Sequence, residues 1–156
     1  MRRLSRGKVM IGSVHSAELG FADVTVTAAQ IKALNATPVQ LVAAPGAGKV
    51  LIFEGAKVAL DYGSAAFDGI AAGEDLSIKY TNGSGAEVGQ CEATGFLDAT
   101  ADAIRYVRPQ SAASGSSAIT PVANAALVLH MLVGEIATGD SVLKVRVFYR
   151  TIPTGL

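Results

Sequence analysis

From Leu143 to Arg150 the side chains alternate: Leu143, Val145, Val147 and Tyr149 fall on one side, and Lys144, Arg146, Phe148 and Arg150 on the other. A helix cannot segregate such a period of two, whereas a strand with one buried face does so automatically. Leu76, Ile78 and Tyr80 repeat the pattern against Ser77, Lys79 and Thr81, and Asn82-Gly83-Ser84-Gly85 follows as a hairpin turn, because Asn-Gly tolerates the positive φ angles of tight hairpins. Val50-Leu51-Ile52-Phe53 is apolar throughout and points to a strand covered on both faces, within an extended piece from Lys49 to Glu54. Gly55 is expected to break that piece, with Val58 to Tyr62 as another.

The return strand of the hairpin is expected from Glu87 to Phe96, a helical turn over Asp98 to Ala103, and an extended segment from Ile104 to Arg108 that Pro109 ends. Ala125 to Val133 and Leu143 to Thr151 read as a long hairpin around Gly134 to Asp140. One helix is expected near the start: Thr27 and Gln30 are spaced as a capping box, opening about two turns through Leu34 that Asn35 can close. Val24 begins a short strand ahead of it. Residues 110–118, rich in Ser and Ala, read as a loop, and there is no internal repeat. Seven or eight strands with turns at such intervals define a mainly β chain, a single β-sandwich or jelly-roll-like domain with one short helix. The domain is expected over residues 24–156, behind an extended N-terminal arm over residues 1–23.

That arm carries Arg2, Arg3, Arg6 and Lys8, four of the thirteen basic residues, and no acid precedes Glu18. From residue 9 onward nine bases face thirteen acids, so a body of formal charge −4 hides behind a net charge of zero. Docking of the arm on a protein neighbour is the leading reading; a solvated tail, or contact with nucleic acid or an anionic surface, are the alternatives. Four charges are few for nucleic acid, and no aromatic is interleaved over residues 1–20 for base stacking. No nucleic-acid partner is expected. Charged residues make up 17% of the chain against a usual quarter, so more of the surface must be neutral or apolar, and such surface is commonly covered by a partner.

Catalytic equipment is sparse. Ala43-Ala-Pro-Gly-Ala-Gly-Lys-Val50 resembles a phosphate-binding loop but lacks Gly at Ala43 and Ser or Thr at Val50, and it leads into a strand, so it reads as a turn. Neither His15 nor His130 is framed by Cys, Asp or Glu at metal-ligand spacing, and His130 lies in an apolar run as a packed or interface residue. Cys91, the single cysteine, reads as a small buried apolar residue. Asp98 and Asp102 could share a helical face, and Glu74-Asp75 are adjacent, but helix capping and turn solvation account for them. No Ser lies in a nucleophile elbow. We expect no catalytic residue, cofactor or metal.

The apolar piece from Val9 to Val14 is interrupted by Gly12 and Ser13 and is too short for a secretory leader, whose core needs roughly 7–15 residues. The longest apolar run, Ala125 to Val133, contains His130 and falls short of the roughly 20 residues of a membrane span, so no membrane association is expected.

Three stretches resemble structural proteins of the head region of tailed-bacteriophage virions: TAAQIKALNATPVQLVAAPGAGKVLIFEGAKVALDYGSAAFDGIAAGEDLSIKY at 27–80, CEATGFLDATADAIRYVRP at 91–109 and GDSVLKVRVFYRTIP at 139–153. They cover most of the body and leave the arm outside. The resemblance implies a capsid decoration, or cement, protein without enzymatic activity. It would be made in the bacterial cytoplasm, bind the major capsid protein at the outer shell surface and act as a homo-oligomer, with a trimer expected. Another virion component of the tail, collar or fibre is the first alternative. A carbohydrate- or receptor-binding module is the second, disfavoured because the chain has no Trp to form a sugar platform.

Overall fold

A computed structural model describes residues 17, 19–110, 119–132, 134 and 136–155. Eight strands, β1 (Leu19–Val26), β2 (Val39–Val42), β3 (Lys49–Asp61), β4 (Leu76–Tyr80), β5 (Glu87–Cys91), β6 (Ala103–Val107), β7 (Leu127–Met131) and β8 (Val142–Pro153), and one helix, α1 (Ala28–Lys32), follow in chain order. The strands form two antiparallel four-stranded sheets, β1-β8-β3-β6 and β2-β7-β4-β5. Strand 1 thus pairs with 8, 2 with 7, 3 with 6 and 4 with 5, the arrangement of one long antiparallel hairpin rolled into two layers. This is the expected mainly β sandwich with one short helix.

The core lies between the layers, where Leu76, Ile78 and Tyr80 of the second sheet meet Val145 and Val147 of the first, each at most 1% exposed. The Tyr80 hydroxyl, buried deeply enough to push its pKa up to about 12, donates to the Leu51 carbonyl and ties the layers together. At one corner the sandwich nearly closes, since Pro109 just beyond β6 bridges to Gly89 of β5. At the opposite corner α1 connects β1 to β2. Its capping box is formed: Gln30 N donates to Thr27 Oγ1 at 3.3 Å, and Thr27 N donates to Gln30 Oε1 at 2.9 Å. The helix ends at Lys32, earlier than expected, and Asn35 instead donates through Nδ2 to the Met131 carbonyl at 2.9 Å.

Several further expectations change. β1 begins at Leu19 and runs across the boundary drawn between residues 23 and 24. Gly55 does not end a strand: β3 is continuous for thirteen residues, with a register shift between Phe53 and Gly55 that leaves Glu54 as an extra residue. Gly55 takes φ +146 there, and a Cβ would lie 3.2 Å from the Val107 carbonyl, so the bulge favours glycine. β5 stops at Cys91, and the helical turn comes earlier than expected, with Leu97 N donating to the Ala93 carbonyl at 2.9 Å. The long hairpin expected of β7 and β8 is absent, because the two strands lie in different sheets. All five residues of β7 are buried, so it needs neighbours on both edges, and it finds them in β2 and β4. The segment between crosses to the other layer. There the Asp140 carboxylate accepts from Ser64 N, Ser64 Oγ and Ala65 N at 2.6–3.1 Å and anchors the crossing to the loop after β3.

Candidate interaction surface

The outward side of the first sheet is an open, mixed surface. On β1 the side chains of Leu19, Phe21, Asp23 and Thr25 face solvent, while Gly20, Ala22 and Val24 turn inward and are half-buried. Register carries this face across the sheet, so Asp23, Arg146, Lys57 and Tyr106 form one row and Thr25, Lys144, Ala59 and Ile104 the next. Three ion pairs lie on it. Arg146 grips Asp23 with two bonds of 2.7 Å, Lys144 meets Asp61 at 2.6 Å, and Arg150 meets Glu54 at 2.9 Å. The bond from Arg146 holds the Asp23 carboxyl below the usual carboxylate range, and Asp61 raises Lys144 in the same way. Arg146 also stacks over the Phe21 ring at 4.9 Å from its centroid.

Where Ala59 offers only a methyl group between longer neighbours, the surface dips into a hollow of about 420 Å³ bordered by Asp23, Lys57, Lys144 and Arg146. A second hollow of about 380 Å³ continues from Ala59 and Lys144 toward Ile104 and Asp102. The two edges of the face are apolar. Of the five large hydrophobic residues exposed among the described residues, Leu19 and Phe21 lie on β1, and Ile104 and Tyr106 on β6, at the two edges of this one face. Tyr106 is 73% exposed and Phe21 61%. Together they form two apolar margins around a charged centre.

The outward side of the second sheet differs. Ser77, Glu87, Val128 and His130 point away from the core yet are each at most 7% exposed. The hairpin turn after β4 folds back over them: Lys79 Nζ donates to the Gly83 carbonyl at 2.7 Å, and a Cβ on Gly83 would come within 2.7 Å of His130 Nε2, so only glycine leaves room for the imidazole. Beneath this cover Ser77 Oγ, both Glu87 carboxylate oxygens and His130 Nδ1 have no hydrogen-bond partner among the described residues. Burial pushes the Glu87 pKa up, opposed by Lys79 and assisted by Asp75, and it pushes His130 down, with Lys79 adding to the effect.

The residues weighed for chemistry do not converge. His130 is a packed residue, as expected, whereas His15 and the basic residues Arg2, Arg3, Arg6 and Lys8 lie outside the described residues. Asp98 and Asp102 do not share a helix, because the turn ends at Asp98; Asp102 accepts from Tyr62 N at 2.9 Å. Glu74 accepts from Ala71 N at 2.7 Å, and Asp75 accepts from Gln90 Nε2 at 2.5 Å. Cys91 is half-buried, its thiol pushed up to about 11 chiefly by burial. The loop from Ala43 to Val50 leads into β3, and Gly46 N donates to Asn124 Oδ1 at 3.0 Å. Among the described residues no group of three or more His, Cys, Asp or Glu is placed to hold a metal, and no helix is long and apolar enough to cross a membrane.

Leu19 and Phe21 were not anticipated from sequence. Their outward placement could be read only from the smallness of Gly20 and Ala22 between them, since the outward residues are the more apolar ones and polarity gives no contrast. No protein-family profile matches the chain, and no characterised protein matches it in sequence. Among solved structures, a chain of the cyanophage Pam1 capsid asymmetric unit is similar, with a TM-score of 0.46 and 15% identity over 96% of this chain and 93% of that one.

Proposed function

We propose that this chain is a non-enzymatic structural protein of a tailed-phage virion, a capsid decoration or cement protein that binds the outside of the shell as a homo-oligomer. The observation that carries the reading is the outward face of the first sheet, where four large apolar side chains and three ion pairs are offered on a rigid antiparallel platform. Surface of this kind suits contact with protein, and its hollows are shallow. The three sequence stretches that resemble virion head proteins support the same assignment.

In this reading the basic arm, with Arg2, Arg3, Arg6 and Lys8, reaches from the body onto the major capsid protein or a neighbouring copy. Eight extended residues span about 26 Å at roughly 3.3 Å each. Single exposed ion pairs hold only weakly, so the arms act through their number in an oligomer.

Cryo-electron microscopy of the native particle tests the assignment. Density fitting the sandwich on the outer shell is expected, and its absence from the shell, or its presence only in the tail or collar, overturns the decoration role. Removal of residues 1–16, a cut that spares β1, is expected to leave the body folded and to weaken binding to particles lacking the protein. Unchanged binding of the truncated protein would make the arm a solvated extension.

A further inference from the structure

We infer that copies of this chain join edge to edge, β6 of one against β1 of the next, so that the first sheet continues antiparallel into its neighbour. This deepens the structural-protein reading by naming how copies associate, but it concerns the isolated protein and stands or falls without the particle.

Exposed strand edges invite pairing, and folded proteins protect them with short strands, bulges, proline or lysine. Both edges of the second sheet are protected in this way. β2 has four residues, follows Pro38 and shifts register between Gln40 and Val42, while the ladder between β4 and β5 is bulged and β5 is tied to Pro109. The first sheet has fewer such devices, namely the short length of β6 and its inward Arg105. β1 runs eight residues in unbroken register with β8, β6 runs five in unbroken register with β3, and neither contains Pro or Lys. Among the described residues each of these edge strands pairs on one side only.

The apolar margins lie on these same two strands and the same face, so joining β6 to a neighbouring β1 brings Ile104 and Tyr106 beside the next copy's Leu19 and Phe21. Cross-strand pairs of aromatic and aliphatic side chains stabilise such a ladder. Direction also fits. Each strand of the first sheet is antiparallel to its neighbour, so β6 runs opposite to β1. A copy repeated about an axis along the strands therefore presents β1 antiparallel to the β6 it meets.

Charge selects this pairing over the symmetric ones. β1 carries Asp23 and no cation, while β6 carries Arg105 and no carboxylate. Joining two β1 strands would crowd their outward aspartates and joining two β6 strands their inward arginines, whereas β1 with β6 avoids both like-charge contacts, because Asp23 and Arg105 lie on opposite faces of the sheet. A contact between two different edges leaves one free edge at each end and closes into a ring when the rotation permits.

Light scattering across a concentration series tests this with the full chain, Phe21→Lys, Tyr106→Lys and an equimolar mixture of the two variants. The full chain is expected to form an assembly of several 15.9 kDa protomers. Each variant alone should associate at least about thirtyfold more weakly, the loss typical of an interface anchor. The mixture should recover a two-chain species, since Phe21→Lys retains a usable β6 and Tyr106→Lys a usable β1. A full chain that stays monomeric overturns the inference, as does dissociation by one variant with no effect of the other, which would mean symmetric pairing of one edge. Circular dichroism checks the fold, and Phe21→Ser with Tyr106→Ser replace any lysine variant that fails to fold.

Discussion

The outward faces of the two sheets treat their polar side chains in opposite ways. On the first sheet Asp23, Lys144, Arg146 and Arg150 stand in water, each matched to a partner, and the apolar residues lie at the margins. On the second sheet Ser77, Glu87 and His130 are buried beneath a turn that folds back over them, with side-chain atoms unmatched among the described residues. Alternation along a strand states which way a residue points. Whether that side is wet depends on what the neighbouring loops do, and the turn after β4 makes the difference here.

The inner faces give the largest expected effects and a control for this contrast. Leu76→Ala in the second sheet and Leu143→Ala in the first should each cost about 2–5 kcal/mol in urea denaturation, because both side chains are at most 1% exposed in a shared core. A cost confined to one sheet would mean that the layers do not unfold together. Tyr80→Phe comes next. It removes the hydroxyl that joins the layers and leaves the Leu51 carbonyl short of a donor, an expected loss of about 1–3 kcal/mol. A neutral result would remove that bond from the account of how the sheets are held.

Glu87→Gln tests the buried outward face directly, and its expected sign is stabilising. In the folded chain Glu87 holds its proton more tightly than its ordinary value near 4.5, so its ionisation works against folding as pH rises from there through the raised folded value. His130 works the other way. Its folded value lies below 6.5, so folding weakens as pH falls from 6.5 toward that lowered value. Glu87→Gln should therefore stabilise the protein by about 1–2 kcal/mol at pH 8, the gain fading toward pH 4, and should unmask the slope due to His130. Destabilisation at pH 8 would show that the carboxylate has a partner in the native state. The smallest effect is expected from Arg146→Ala on the open face, since exposed ion pairs contribute little and are screened by salt. A denaturation shift rivalling that of Tyr80→Phe would erase the distinction between the two faces.

Much of the sandwich is legible in the chain because its strands alternate cleanly where one side is dry. The capping box at Thr27 and Gln30 and the buried row Leu76, Ile78, Tyr80 are local patterns that lie where expected; the turn at Asn82-Gly83 is also there, but its positive φ is taken by Thr81 and by neither of those two residues. The partnership of β7 and β8 was not legible, because adjacency in sequence favours a hairpin while the choice of sheet depends on the burial of every β7 side chain by distant strands. Gly55 misled for a related reason: a bulge and a break carry the same residue, and the long ladder to β8 decides between them. At the open face, the outward turn of Leu19 and Phe21 runs against the usual rule that the polar side is the wet one.

The pairing of β1 with β8 also sets a timetable. Leu19 waits for Arg150, roughly 130 residues later in the chain, before it gains its ladder partner. At about 5–20 residues per second, translation alone leaves the first strand without its neighbour for on the order of ten seconds. Only the hairpin of β4 and β5 can form soon after its synthesis, and the roll must then grow outward from it, 3 with 6, 2 with 7 and 1 with 8. Contacts so distant in sequence make for slow folding, and β1, an edge strand of the first sheet, is also the strand left waiting longest in the nascent chain.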